Sequence, residues 1–329
     1  MEQRGFGQMS SIQKCFLGLM FLMCGAVAGT AFSGTVGTDT ADILKINYGA
    51  RPAGMAGAYT AMCDDSYSAN YYNPAGLCGV RAPEAILLHS NHLADIQYEF
   101  LAFSTPWGTQ RTLGFNLNYR HMTPIDNNNA YPAVDASDVV VSLTAAQRYQ
   151  DFNFGVTAKY ISSTLADTSG TAYALDLGVQ YLGLPYNFKA GFAILNFGTK
   201  MTFVQESEPL PMFIRAGLAW TTMIKGKKRL NLDLDVFKPS DQPLKMAIGG
   251  ELWLFEKLFA VRIGDKREGI SKNPGNLFNN YTLGFSLTRP IKDTDMSLDF
   301  AFNPASYDLT TEDTYFAALS FRFNHLKIF

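Results

Sequence analysis

The residues equipped for chemistry crowd one stretch, "CDDSYSANYYNPAGLCG", which runs from Cys63 to Gly79. Two adjacent acids, Asp64 and Asp65, precede a turn built from Asn73, Pro74, Ala75 and Gly76, and a cysteine stands at or near each end. Neighbouring acids at a turn could hold a cation, but such acids are more often solvated or cap a helix. His89 and His92 have a short, ligand-like spacing, yet residues three apart on a strand point to opposite faces, which argues against one shared metal. No nucleophile with a base beside it, no phosphate-cradling loop and no Cys/His framework occurs elsewhere. The sequence offers no enzyme, no metal site and no cofactor, so the stretch is read through what it packs against.

Composition narrows the class. Of 329 residues, 47% are hydrophobic, 17% charged and 13% aromatic, with a formal net charge of -2. That charge is too small and too evenly spread for nucleic acid or a polybasic membrane contact. Few charges and many aromatics at neutral overall hydropathy describe a membrane β-barrel, whose strands face lipid on one side and water on the other. At the N-terminus, Arg4 and Lys14 precede the apolar run "CFLGLMFLMCGAVAGTAF", followed by small residues near Ala31 and Ser33. Residues 1–33 therefore read as a cleaved secretory signal rather than an anchor. No later apolar run is long enough for a spanning helix.

From about Ala85 the chain alternates. Leu113, Phe115, Leu117 and Tyr119 share one face against Gly114, Asn116, Asn118 and Arg120; Phe152, Phe154, Val156, Ala158 and Tyr160 oppose Asn153, Gly155, Thr157 and Lys159. Strict period two over about ten residues predicts strands long enough to cross a bilayer at a tilt. Aromatics such as Tyr173 and Tyr181 at the ends of a stripe predict girdles at the two interfaces. Fourteen strands are expected, starting near residues 85, 98, 111, 138, 151, 172, 187, 212, 230, 244, 257, 281, 296 and 313. Connections after odd-numbered strands look long ("TPIDNNNAYPAVDAS", "STLADTSG", "TKMTFVQESEPLP", "KREGISKNPGNLFNN") and those after even-numbered ones short ("PWGTQ", "YQ", "LGLP", "FE", "RPIKDT"). That is the pattern of a bacterial outer-membrane barrel, with both chain ends expected on the periplasmic side.

The polar faces carry both signs: Arg120, Lys159, Lys189, Arg215, Arg262 and Arg322 alternate with Asp176, Asp233, Asp235, Glu251 and Asp299. Charges confined to a lumen are costly alone, so they are expected to pair across strands or face water, as an ion-pair network or as a selectivity path. Glycines on the same face (Gly114, Gly155, Gly178, Gly191, Gly217, Gly249, Gly284) leave room for a filling or for a bend in the wall. Residues 34–84 do not alternate and are rich in small residues; folding into the lumen as a plug is their expected fate, with residues 85–329 forming the barrel.

"ILKINYGARPAGMAGAYTAMCDDSYSANYYNPAGL" (Ile43 to Leu77) resembles the N-terminal signature of the PorV/PorQ family, which includes an uncharacterised spirochaete-type branch, within the FadL-like superfamily. The shared positions include Gly54, Gly57, Asp64, Asp65, Asn73, Pro74, Ala75 and Gly76. The resemblance implies an all-β fold, a barrel of about fourteen strands with an N-terminal hatch in its lumen, in contact with outer-membrane lipid. It implies transport of hydrophobic small molecules past that hatch or, as the alternative, a PorV-type shuttle that carries exported protein cargo in type IX secretion. Pro52 and Ala56 depart from the small residues or glycine usual at their positions. Cys63 and Cys78 also depart; after signal removal they are the two remaining cysteines, in an oxidising compartment, and a disulfide around Asn73–Ala75 is expected, against two small buried thiols. "ALSFRF" (Ala318 to Phe323) resembles the aromatic last strand that barrel assembly machinery reads, which makes that machinery an expected partner.

Overall fold

The computed structural model describes residues 40–46, 49–62, 64–67, 71–91, 96–125, 134–203, 206–224, 228–268, 281–304 and 314–326. The expected signal segment, 1–33, lies outside them. The strands are β1 (Glu84–Asn91), β2 (Ile96–Trp107), β3 (Arg111–Ile125), β4 (Val134–Tyr149), β5 (Phe152–Leu165), β6 (Thr168–Tyr181), β7 (Phe188–Gly198), β8 (Met201–Phe203), β9 (Glu206–Glu208) and β10 (Phe213–Ile224). They continue with β11 (Lys228–Pro239), β12 (Lys245–Leu254), β13 (Phe259–Glu268), β14 (Tyr281–Ile291), β15 (Thr294–Asn303) and β16 (Thr314–Phe323). Fourteen of these form one closed antiparallel barrel, sealed where β1 meets β16, with Glu84 opposite Arg322 and Asn91 opposite Tyr315. The pair β8–β9 is a separate hairpin in the connection from β7 to β10. Closure removes every edge, so the wall's backbone groups pair within the wall, as a bilayer demands.

The alternation read from the sequence is the alternation of exposure. On β5, Asn153, Thr157 and Lys159 are buried while Phe154, Val156 and Tyr160 are exposed. Exposed apolar side chains continue around the wall, with Leu143 at 63% and Phe197 at 66%. A soluble protein does not present so continuous an apolar surface; a bilayer covers it. No described helix is long and apolar enough to cross a membrane. Trp107, Tyr149, Tyr186 and Phe255 are exposed at the end of the short turns, and Tyr119, Tyr160, Tyr173 and Tyr315 nearer the other end.

Two local expectations are corrected. Tyr181 is buried rather than part of a girdle, because Phe152 and Phe188, which open the neighbouring strands, and Leu184 of the turn pack against it. "STLADTSG" is not a loop: β5 and β6 run through it to a two-residue turn at Ala166 and Asp167, with Ala166 at φ 49°. The polar residues that suggested a loop there lie in the paired ends of two long strands, with Thr164 opposite Ser169 and Leu165 opposite Thr168.

Candidate functional site

The described parts of residues 40–80 touch wall residues from β3 round to β16. In a closed barrel that is possible only from within. The segment starts at the end of the long connections: the Thr40 amide donates to Pro209 O at 3.2 Å, and Lys45 Nζ lies 2.5 Å from Asp241, between β11 and β12. It finishes at the other end, where the Ser66 amide and hydroxyl both donate to Glu84 at the foot of β1. The start of the described chain is thus not on the periplasmic side, as the even strand count alone suggested. Strand parity places the ends of the barrel, and it says nothing of a segment that crosses the lumen first.

Contact between segment and wall is made where the wall has no side chain. A Cβ on Gly178 would run into Asn73 Oδ1 and Pro74, and one on Gly155 into the Pro74 backbone. Gly54 packs on Gly284, glycine against glycine. The inward glycines are therefore sockets for the segment, the first of the two roles the sequence allowed; Gly264, against which Met55 and Ala56 lie, was missed. Gly57 takes φ 80°, a conformation natural to glycine, whereas Ala56 takes φ 55°, which costs an L-residue about 1 kcal/mol.

Polar groups tie the segment down at three levels. In the middle, Asp235 on β11 accepts from the Tyr59 and Thr60 amides and from Thr60 Oγ1, and it pairs with Arg215 at 3.0 Å. Arg215 also donates to Gly57 O and lies over the rings of Tyr71, Tyr72 and Phe237. Asp233, one strand position pair away, accepts from the Met62 amide.

Nearer the short-turn end, Arg51 grips Glu251 on β12 with two bonds (Nε–Oε2 2.8 Å, Nη2–Oε1 2.9 Å) and reaches Asp64 at 2.6 Å and Asp65 at 2.9 Å. Glu251 is shared with Arg262 at 2.8 Å, which continues to Asp299 at 3.1 Å. Asp64 and Asp65 are thus anions for a guanidinium of their own chain. Burial pushes the Asp65 carboxyl up to about 6 despite Arg51, with Glu84 and Asp64 adding to the rise, while Tyr59 donates to it at 2.6 Å. Arg51 was in the motif but was not singled out from the sequence. A guanidinium amid glycines and alanines was the available signal, because a buried cation requires a partner.

At the third level Asn73 organises the turn. Its Oδ1 accepts from the Ala75 amide, and its Nδ2 donates to Thr60 O and Val179 O, each at 3.1 Å. Pro74 opens the 3-10 turn Pro74–Gly79, where its missing N–H costs nothing. Cys78 is a buried free thiol that burial holds at about 11, and its carbonyl accepts from Arg148 at 3.4 Å. Cys63 lies outside the described residues, so the expected disulfide has no support among them. His92 is outside them as well; His89 faces outward and sits 2.7 Å from Glu99.

Further ion pairs join strands across the lumen wall: Arg120 with Asp138, Lys159 with Asp176 at 2.7 Å, and Arg322 with Glu84 at 3.0 Å. Glu84 and Asp138, which the sequence reading did not name, complete these pairs.

A closed fourteen-strand wall threaded by its own N-terminal segment can be compared with known proteins. No protein-family model matches the sequence, and no curated protein sequence does. Solved structures do match in shape. The toluene transporter TodX of Pseudomonas putida superimposes with a TM-score of 0.58 at 11% identity, over 84% of this chain and 98% of that one. The toluene transporter TbuX of Ralstonia pickettii gives 0.55 at 11% identity, over 84% and 98%. A Pseudomonas aeruginosa FadL homologue gives 0.52 at 10% identity, over 83% and 98%. The fold is that of the FadL-type outer-membrane barrels. Nearly the whole length of each of these proteins is matched, so the likeness spans an entire barrel and not a few strands.

Proposed function

We propose that this chain lies in a bacterial outer membrane and passes small hydrophobic molecules through it, with the segment from Gly49 to Gly79 as the hatch. The observation that carries the reading is the way the lumen is filled. The segment is seated in glycine sockets and tied by side-chain bonds, and none of its described residues belongs to a wall strand, so a passage can form when it shifts while the barrel stays closed. The likeness in fold to toluene transporters supports the class of cargo. The continuous apolar exterior supports the location. Liposomes carrying the purified protein are expected to take up toluene faster than empty ones, and faster again with Asn73→Ala. Uptake equal to that of empty liposomes would end the transport reading.

The motif from Ile43 to Leu77 supports a place in the PorV/PorQ branch, and with it the second reading, a shuttle for exported protein cargo in type IX secretion. Purification in mild detergent separates the two. A stoichiometric co-purifying exported protein would favour the shuttle, and a bound small apolar molecule the transporter.

A further inference from the structure

On the outer surface of the wall, β2 to β5 bring their outward residues into register beside the short turns. In the row nearest the turns, Trp107 of β2, Arg111 of β3, Gln147 of β4 and Phe154 of β5 stand side by side. One step further along the wall the row is Leu113, Ala145 and Val156. Alternation turns these side chains away from the lumen, and Trp107, Arg111, Gln147 and Phe154 are all exposed. An alanine between a leucine and a valine leaves a trough, and these two rows line one of about 320 Å³. Ala146 and Gly155 border it too; on the lumen side Leu77 clusters with Ala146, and Pro74 lies against Gly155. The trough and the seat of the hatch turn thus lie back to back on the same strands.

The head of this trough carries a charge that the protein does not answer. The Arg111 guanidinium lies 5.7 Å from the centre of the Trp107 ring, and no described residue offers it a carboxylate. Lys228 of β11 and Arg289 of β14, exposed near the same end of the wall, also have no carboxylate partner among the described residues. A second apolar groove, of about 390 Å³, lies on the outer surface around β1, but there His89 and Glu99 face one another at 2.7 Å. That groove needs no charged occupant; the trough over Ala145 does.

An occupant that fits has a negative head and an apolar tail, with the head at the level of the interfacial aromatics. A bilayer supplies that molecule as an anionic phospholipid. The planar fork of an arginine suits phosphate oxygens, and Gln147, directly opposite Arg111 on the next strand, adds an amide donor. From there an acyl chain running toward the middle of the bilayer meets Leu113, Ala145 and Val156 in turn.

We propose that the outer face of β2 to β5 binds one anionic phospholipid of the leaflet on the short-turn side, its phosphate held by Arg111 and Gln147 and an acyl chain laid in the trough over Ala145. The site rests on the wall facing a bilayer and is independent of what passes through the lumen.

The test titrates dioleoylphosphatidylglycerol and dioleoylphosphatidylcholine, separately, into the full-length protein in detergent, followed by native mass spectrometry. The parent protein is expected to hold one phosphatidylglycerol about fivefold more tightly than phosphatidylcholine. Arg111→Ala removes that preference, whereas Arg289→Ala, a cation at the same level without the trough, keeps it. Ala145→Phe fills the trough and weakens both lipids. All three side chains point outward, and heat-dependent mobility on a gel confirms that each barrel is intact. No preference in the parent, an equal loss in Arg289→Ala, or undiminished binding in Ala145→Phe overturns the proposal. Displacement of the lipid by inorganic phosphate would show an anion site without a chain and overturns it as well. Insertion into liposomes separates this site from the placement in a membrane. A protein that inserts but binds neither lipid in detergent ends the site and leaves the placement standing, whereas a folded protein that does not insert ends both.

Discussion

The two ends of the lumen hold the same segment by opposite means. At the short-turn end, Arg51, Glu251, Arg262 and Asp299 form one buried chain of charges, to which Asp64 and Asp65 are added. At the outer end Ile43 and Leu44 are held by burial, with Lys45 at the rim paired to Asp241 and to Asp42. The difference matters because the two kinds of hold fail differently. Apolar burial is lost in increments as contacts are removed. A buried charge that loses its partner is destabilised at once, by far more than the pair contributed. The inner hold is thus the costlier of the two to break.

The largest effect is therefore expected at the inner end. Arg51→Ala leaves Glu251, Asp64 and Asp65 facing one another without their shared cation, at roughly 3–5 kcal/mol. Conductance across planar bilayers should rise sharply while the barrel still runs as folded on a gel, and an unchanged leak would show that the charge chain does not hold the segment. Next comes Gly178→Val, which fills the socket of Asn73 and Pro74 at about 1–3 kcal/mol; a leak no greater than the parent's would mean that the turn docks elsewhere. Asn73→Ala removes the cap on Ala75 and two bonds to carbonyls, worth about 1–2 kcal/mol, and should give a smaller leak in the same assay.

The fourth prediction concerns pH. Asp65 takes its proton near about 6 when docked, against an ordinary 3.8, so the docked state binds a proton that the free state releases. Docking is strengthened as pH falls from about 6 toward 3.8, and that contribution is lost as pH rises through about 6. Asp64, which burial would raise but Arg51 holds below its usual value, acts in the opposite sense only under 3.8. Leak should be lower at pH 5 than at pH 7, an increment that Asp65→Asn abolishes; equal leak at both would remove Asp65 from the balance. The smallest effect is covalent. Counting reactive thiols in the denatured, unreduced protein after signal removal gives two if Cys63 and Cys78 are both free and none if they are bonded, and a bond would add a clamp to the inner end.

Much of the wall was legible. Period-two alternation survives because each residue of a strand answers to one local rule, lipid on one side and lumen on the other, and every expected strand start lies within four residues of the observed one. Where a second element intrudes the rule fails: Tyr181 obeys the alternation, yet Phe152, Phe188 and Leu184 pack against it. The candidate site was legible as a motif but not as an arrangement. Asn73, Pro74 and the inward glycines could be named, whereas their pairing could not, because Gly178 and Asn73 lie 105 positions apart and meet only once the barrel has closed.

By itself, then, the amino-acid sequence determined the barrel, its strand count and which face of each strand is apolar, since these follow from local periodicity and from the need to satisfy every backbone group in lipid. Only the tertiary structure decided that the N-terminal segment runs inward from the outer mouth, that Arg51 answers Asp64 and Asp65, and that Ile43 and Leu44 are buried in an apolar cluster shared with the wall. Each of these depends on contacts across a lumen whose opposing walls are joined by closure, and no local pattern encodes which side chain will be found on the far side.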